Sequence, residues 1–249
     1  MSLLMKKTLL AFSLLFTQPL MAIEVSYTST AIIIDGVSES TWDSATWHPM
    51  PHLMDGALPS SDADFKGRYR LLWDENYLYL QADISDDVLI DTHPNPTDKY
   101  WDDDALEVFI DSDASGGNHQ FNHTAFAYHI GLDNQAADYG PDKKAHLYTD
   151  HLVSNWKRNT TAPYNITWEV AIKLYPNDYQ QGAQNTPLKL TEKHVIGFML
   201  AYCDNDGSKV REHFMGSHEV KPVNGDRNRG FIDADVFGKI TLLPKVSNH

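Results

Sequence analysis

The chain is poor in cysteine and in basic residues. Cys203 is the only cysteine among 249 residues, which excludes a disulfide within the chain and a lipid-modified N-terminal cysteine. Lys and Arg number 20 against 34 Asp and Glu, giving a formal net charge of −14. Such a surface repels phosphates, so we expect neither a nucleic-acid nor an anionic-membrane partner. A neutral ligand, a cationic ligand or metal ions would fit it, and solubility alone would also explain the charge.

The chain also lacks a long hydrophobic run outside its N-terminus. There, Lys6 and Lys7 precede an apolar stretch over residues 8–16, and a small residue follows at Ala22. The stretch is shorter than the ~20 residues that span a bilayer, and this arrangement is typical of a cleaved secretory signal peptide. We therefore expect a signal peptide at residues 1–22 and a single domain at residues 23–249. The domain would be periplasmic or secreted, without membrane insertion, and its oligomeric state stays open.

Motifs of the common catalytic classes are missing as well. The sequence has no G-x-S-x-G and no H-E-x-x-H. His48 with His52, and His119 with His123, are four positions apart, but such pairs meet at one metal only on a helix, and neither pair lies in a helical pattern. Asp and Glu are too abundant to single out the two carboxylates of a glycosidase. We expect a noncatalytic protein, with an exported glycan-active enzyme as an alternative.

What the chain does contain is a series of short segments in which apolar and polar side chains alternate, as in half-buried β-strands. About nine such segments are separated by polar loops, and no long amphipathic helix is evident. The pattern predicts an all-β fold, an antiparallel β-sandwich. The predicted strands are residues 31–34, 65–72, 77–84, 105–111, 124–130, 145–152, 168–174, 196–202 and 236–242.

Residues 100–111 read YWDDDALEVFID and place an aromatic side chain and a carboxylate six residues apart. Trp101 lies in the polar loop before a predicted strand, and Glu107 lies on the strand face opposite Leu106 and Val108. A carbohydrate needs both groups, a flat plate for its C–H face and a charged acceptor for its hydroxyls. The local pattern fits a loop anchor and a solvated carboxylate equally well.

Two acidic loops are candidates for calcium. Residues 111–116 read DSDASG, an oxygen-rich turn, although position twelve from Asp111 is Asn122 rather than the Glu of an EF-hand. A second acidic cluster follows the predicted strand at residues 77–84. The candidate ligands are Asp111, Asp113, Asp86 and Asp87. Both clusters are also compatible with solvated strand ends, and any calcium here would be structural.

Several segments, in their order and spacing along nearly the whole expected mature chain, resemble the family 9 carbohydrate-binding modules. That family shares a broader sandwich fold with the sugar- and haem-binding DOMON domains. The segments are residues 34–36 (IDG) with Trp42, 70–74 (RLLWD) leading into 77–80 (YLYL), 101–111, 168–172 (WEVAI), 196–198 (IGF) with Asn205 and Asp206, and 236–238 (VFG).

The resemblance implies a site that holds a sugar, typically a saccharide chain end, between two aromatic side chains. Trp101 looks like the first aromatic, Glu107 like a hydroxyl-binding carboxylate and Asn228 like the amide ligand. Phe231 stands where the family usually has a second tryptophan. Secondary candidates that border the same site in the family are Tyr202, Tyr128, Arg211 and His213.

The resemblance also implies calcium binding, whereas no organic cofactor is expected. It leaves a second class of function open, a haem-binding electron-transfer domain on the same sandwich. Met199 with one of the histidines would then supply the axial ligands, but no spacing in the sequence selects such a pair.

Overall fold

A computed structural model describes residues 22–160 and 163–245 as a β-sandwich. The expected signal peptide therefore lies outside the described residues except for Ala22. Within these residues, three short 3₁₀ helices span Ser40–Ser44, Thr149–His151 and Ala234–Val236. The strands are β1 (Ile23–Tyr27), β2 (His48–Pro49), β3 (His52–Gly56), β4 (Phe65–Trp73), β5 (Leu78–Asp86), β6 (Ala105–Asp111), β7 (Phe126–Gly131), β8 (Ala136–Tyr139), β9 (Ala145–Leu147), β10 (Leu152–Arg158), β11 (Ile166–Ile172), β12 (Val195–Asp204), β13 (His213–Gly216) and β14 (Gly238–Leu242).

The strands form two sheets that share β1. The back sheet has the order β10-β11-β5-β4, with β2 beside β4. The front sheet has the order β14-β12-β6-β7-β8-β9, with β13 beside β12 and β3 beside β13. All of these pairs are antiparallel, as predicted. The exception is β1, which runs parallel to both β14 and β4 and joins the sheets.

Strand β6 lies in the middle of the front sheet and is buried on both faces. Leu106 and Val108 point into the main core between the sheets. Ala105 and Phe109, on the other face, pack in a second apolar cluster that residues near the C-terminus help to cover. The expectation of a half-buried strand is therefore too simple, because Glu107 lies on a face that protein covers rather than water, and is 2% exposed.

The structure differs from the sequence prediction in two segments where apolar and polar residues alternate but do not form one paired strand. Residues 31–34 form no strand; Ile32 and Ile34 instead pack with Trp42 in a small outer cluster. Residues 145–152 divide into β9, a 3₁₀ helix and the start of β10. Apolar alternation indicates which side chains are buried, but it does not show which backbone groups find a partner strand. Among the described residues, no helix is long and apolar enough to cross a membrane.

Candidate functional site

A cavity of about 490 Å³ lies on the outer face of the front sheet, on the side of β6 and β7 that points away from the main core. We call it the front cavity. Its lining combines aromatic rings with charged and amide groups. The lining residues are Tyr100, Trp101, Glu107, Gln120, Phe121, His129, Asp138, Tyr139, Lys143, Arg211, Asn228 and Phe231.

One wall of the front cavity is a group of aromatic rings in edge-to-face contact. Tyr100 lies between Trp101 and His129, with ring centroids 5.0 and 4.8 Å away. Phe121 meets Tyr139 edge-on at 6.0 Å. Because these contacts hold the rings in place, the half-buried Trp101 can present its indole to a ligand at a low entropic cost.

The loop that carries Trp101 is fixed by the aspartates that follow it. Asp103 accepts hydrogen bonds from the Thr92 hydroxyl and the His93 backbone N–H, both at 2.9 Å. Asp104 accepts the Asn205 backbone N–H at 2.8 Å, and the Asn205 side chain donates to the Asp102 carbonyl at 2.6 Å. The acidic run after Trp101 therefore anchors the loop rather than facing a ligand.

A second part of the lining comes from an irregular segment, residues 226–231, that lies against the outer face of β6 and β12 at Gly230. Gly230 is buried there, and a Cβ at this position would come within 2.5 Å of Phe109 and 2.7 Å of Met199. The Gly230 carbonyl also lies 2.8 Å from His119 Nε2. This close approach of the backbone brings Asn228 and Phe231, both half-buried, to the cavity.

The floor of the front cavity holds a buried ion pair. Glu107 on β6 lies directly across from His129 on β7, and His129 Nε2 is 3.0 Å from Glu107 Oε2. Burial acts to lower the pKa of His129, but the Glu107 carboxylate and the nearby Cys203 outweigh it and raise the pKa to about 10. The imidazolium therefore compensates and orients the carboxylate at neutral pH. Arg211 donates to Cys203 Sγ at 3.3 Å on the same floor.

Five of the residues predicted from the sequence line this cavity: Trp101, Glu107, Asn228, Phe231 and Arg211. They come from three separate parts of the chain, residues 100–111, Arg211 and residues 226–231, and the strands and the buried Gly230 bring them together. Their role in binding a sugar stays a prediction.

Tyr128 and Tyr202, two secondary candidates, lie elsewhere. Each belongs to the main core between the sheets. Successive side chains of a strand point to opposite faces, and the neighbours of these two tyrosines in sequence point to the outer face. The Tyr128 hydroxyl is 2.7 Å from His151, and the Tyr202 hydroxyl donates to Asp86 at 2.7 Å. Neither can contact a ligand in the front cavity. His213 is also absent from its lining.

The sequence reasoning missed several lining residues, above all His129, Asp138 and Lys143. Tyr100 could have been noticed beside Trp101. His129 could have been found only from the register of β6 and β7, which places it opposite Glu107.

A second site is an acidic cluster at one edge of the sandwich. Its ligand atoms gather within 4.8 Å in overlapping groups, of which one joins Asp86, Asp204 and Asp206, and another joins Asp64, Asp204 and His213. Both oxygens of the buried Asp204, and Oδ1 of Asp86, accept no hydrogen bond from the described residues. Burial is the main cause that raises the pKa of Asp86 to about 7 and of Asp204 to about 9.

The other predicted acidic loop differs, because hydrogen bonds already satisfy its carboxylates. Asp111 Oδ2 accepts the Gly116 backbone N–H at 2.7 Å, and Asp113 accepts Ser115 N–H at 3.1 Å and the Asn177 amide at 2.9 Å. These contacts account for the turn without a metal ion. A calcium role for Asp111 and Asp113 remains a prediction.

Comparisons with known proteins point to one family. The profile of the Carbohydrate family 9 binding domain-like family matches residues 34–245. The chain is 30% identical over 213 residues to endo-1,4-beta-xylanase A of Thermotoga maritima and 26% identical over 215 residues to endo-1,4-beta-xylanase C of Paenibacillus barcinonensis. Each match covers 85% of this chain but only 17% and 16% of the xylanases, so the chain spans about one sixth of their length.

Solved structures agree at the level of the fold. A family 9 carbohydrate-binding module from Caldicellulosiruptor kristjanssonii in complex with cellotriose superposes with a TM-score of 0.65 at 19% identity, covering 91% of this chain and 96% of that one. The same module in complex with glucose also gives a TM-score of 0.65, covering 92% of this chain and 98% of that one. The profile match spans most of the chain, and the chain therefore belongs to the carbohydrate-binding modules of family 9.

Proposed function

We propose that this chain is an exported, noncatalytic module that holds a saccharide, with a chain end as the preferred feature, in the front cavity. The observation that carries the proposal is the convergence of Trp101, Phe231, Glu107 and Asn228 on one cavity of about 490 Å³. Two aromatic rings supply flat apolar plates, and a carboxylate and an amide supply hydrogen-bond partners for hydroxyls. This chemical pairing is what a sugar ring requires.

The ion pair on the floor explains how Glu107 can serve a neutral ligand. A buried carboxylate without a partner would be costly and would tend to take up a proton. The His129 imidazolium, 3.0 Å away, compensates the charge of the Glu107 carboxylate and fixes its position, and the carboxylate oxygens can accept hydrogen bonds from sugar hydroxyls. Phe231 offers a smaller face than the tryptophan of typical family members and has no indole N–H, which lowers the affinity expected from the second wall.

The expected affinity is modest. Ring stacking and charge-assisted hydrogen bonds contribute about 1–3 kcal/mol each, and ordering of the ligand offsets part of this, which leaves dissociation constants from micromolar to millimolar. Suitable first probes are cello- and xylo-oligosaccharides, because the similar module binds cellotriose and glucose and the longer relatives are named xylanases.

The test is a glycan array followed by calorimetry on residues 23–249 with the best glycan. Trp101→Ala should weaken binding about 5- to 150-fold, the equivalent of ~1–3 kcal/mol. Trp47→Ala is the matched control, because Trp47 stacks with Arg68 on the back sheet at 3.9 Å and lines no part of the front cavity. If folded Trp101→Ala binds as tightly as the parent protein, the front cavity is not the sugar site.

We also propose that the acidic cluster binds a structural calcium ion. Buried carboxylate oxygens without hydrogen-bond partners are uncommon and costly, and a divalent cation would satisfy them. Calcium takes six to eight oxygen ligands in flexible geometry. Asp86, Asp204, Asp64 and Asp206, with Asp87 at the exposed side, offer such a set. The predicted ligands Asp86 and Asp87 thus belong to a larger group than their own loop.

The haem alternative finds no support in the site. Met199, the methionine considered as an axial ligand, is fully buried in the outer apolar cluster, and its methyl end lies near Gly230. We therefore keep saccharide binding as the single proposed activity.

A further inference from the structure

The front cavity has a different charge balance from the rest of the chain. Over the whole sequence, acidic residues outnumber Lys and Arg by 34 to 20. In the cavity lining, three side chains can be cationic, His129, Lys143 and Arg211, against two carboxyl groups, Glu107 and Asp138. A local excess of basic groups on an acidic protein indicates that the cavity is suited to a ligand with negative charge.

Most of these charges already have partners. Glu107 and His129 form a buried pair that is neutral as a whole. Arg211 pairs with the exposed Asp55 at 3.2 Å. Asp138 accepts the backbone N–H groups of Ala127 at 2.9 Å and Tyr139 at 2.7 Å, and burial raises its pKa to about 7, so its negative charge is only partly present at neutral pH.

Lys143 is the lining cation without a compensating carboxylate. It lies in the turn between β8 and β9, and its Nζ is 5.3 Å from the centre of the Phe121 ring. Among the described ion pairs of the chain, none involves Lys143. Its ammonium is exposed and free to meet a ligand.

The backbone at Lys143 determines which substitution can test its charge. Its φ angle is 63°, in the left-handed region, where glycine or asparagine is favoured over lysine. A substitution that tests the charge of Lys143 must therefore use a residue that tolerates this conformation. Asparagine does so and carries no charge.

We propose that the saccharide bound in the front cavity carries a carboxylate, as a uronic acid does, and that the Lys143 ammonium pairs with it. The inference rests on the proposed function, in which Glu107 and Asn228 bind hydroxyls of the same sugar. The net charge of −14 does not prevent this, because salt screens charges beyond about 8 Å at physiological ionic strength. The nearby ammonium therefore dominates at contact distance.

The experiment compares sugars that differ only in the carboxylate. D-glucuronate with D-glucose, and D-galacturonate with D-galactose, are titrated by calorimetry into residues 23–249 at physiological ionic strength. We expect the uronate of at least one pair to bind about three- to fivefold more tightly than its neutral partner, the size of a partly exposed ion pair. Added salt should reduce this ratio.

Two matched variants connect the preference to one side chain. Lys143→Asn removes the charge with a residue that tolerates the left-handed backbone, and should bring the ratio of uronate to neutral-sugar affinity to about one. Lys144→Asn changes the neighbouring exposed lysine, which does not line the cavity, and should keep the preference.

The outcomes separate the two proposals. Neutral sugars that bind in a Trp101-dependent way, with uronates equal or weaker, overturn the inference and leave the proposed function intact. A uronate preference that survives Lys143→Asn also overturns it. If neither these sugars nor the glycan array gives binding to the folded protein, both proposals fail.

Discussion

Glu107 and His129 form a buried ion pair in which each charge compensates the other. His129→Gln keeps a hydrogen-bond donor but removes the positive charge, which leaves a buried carboxylate, 2% exposed, without its counter-ion. Breaking a buried pair in this way costs roughly 3–5 kcal/mol, less whatever the new amide restores. We expect a loss of about 2–4 kcal/mol in the free energy of unfolding, measured by urea denaturation, and weaker glycan binding by calorimetry.

The double variant Glu107→Gln with His129→Gln distinguishes charge compensation from simple packing. Because no unpaired charge remains, its stability should recover most of the loss, while glycan binding stays weak since the carboxylate acceptor is gone. A double variant as unstable as the sum of the two single changes would contradict the role given to the pair.

The same residues show what one sequence can predict. Trp101 and Glu107 could be proposed from a local pattern, because a strand alternates its faces with a period of two. His129 could not, since its place opposite Glu107 depends on the register between β6 and β7. The same alternation explains why Tyr128, a predicted site residue, does not reach the cavity: it neighbours His129 in sequence but faces the main core.

At the scale of elements, the cavity depends on how residues 226–231 lie against the front sheet. Gly230→Ala would place a methyl within 2.5 Å of Phe109 and 2.7 Å of Met199, so the segment must move. We expect a loss of about 1–3 kcal/mol from overpacking and a lower affinity for glycan, because Asn228 and Phe231 move with the backbone. Thermal unfolding and calorimetry measure the two effects.

Gly67→Ala is the matched control for this prediction. Its Cβ would come within 2.8 Å of Phe65 and 2.9 Å of Met50, on the back sheet and away from the cavity. It should lower stability to a similar degree and leave affinity unchanged. Equal affinity in both variants would show that the position of residues 226–231 does not matter for binding.

The elements also differ in how far the sequence specified them. Strands β4, β5, β6 and β12 were predicted closely, because apolar alternation reflects the local geometry of a strand. Residues 226–231 have no such period, and only the family resemblance assigned Asn228 and Phe231 a role. Contacts of Gly230 with the distant residues Phe109, Met199 and His119 hold this segment, and no local pattern encodes them.

At the scale of the whole molecule, the acidic cluster links the two sheets. Asp86 ends β5 of the back sheet, Asp204 ends β12 of the front sheet, and Asp64 directly precedes β4. Sequence reasoning found Asp86 and Asp87 but not the other members, since these lie far apart along the chain. A cation held here would cross-link the sandwich, so its removal should affect global rather than local stability.

We therefore predict that calcium raises the melting temperature of residues 23–249 in a single cooperative transition. At a hundred times the dissociation constant, binding to the folded state adds about 2.7 kcal/mol, or roughly 5–10 °C for a domain of this size. Calorimetry in calcium, in magnesium and in chelator measures the shift, which should be smaller in magnesium because that ion demands a stricter octahedral geometry.

Asp204→Asn gives this prediction its sharpest form. The change removes a buried carboxylate whose oxygens have no hydrogen-bond partner among the described residues, so the metal-free variant should melt higher than the metal-free parent. It should also lose most of the response to calcium, because a charged ligand is gone. Asp113→Asn, in the loop whose hydrogen bonds are already satisfied, should keep the full response. An unchanged melting temperature of the parent protein in calcium and in chelator would rule out a cation that joins the sheets, and two separate transitions would contradict a single folding unit.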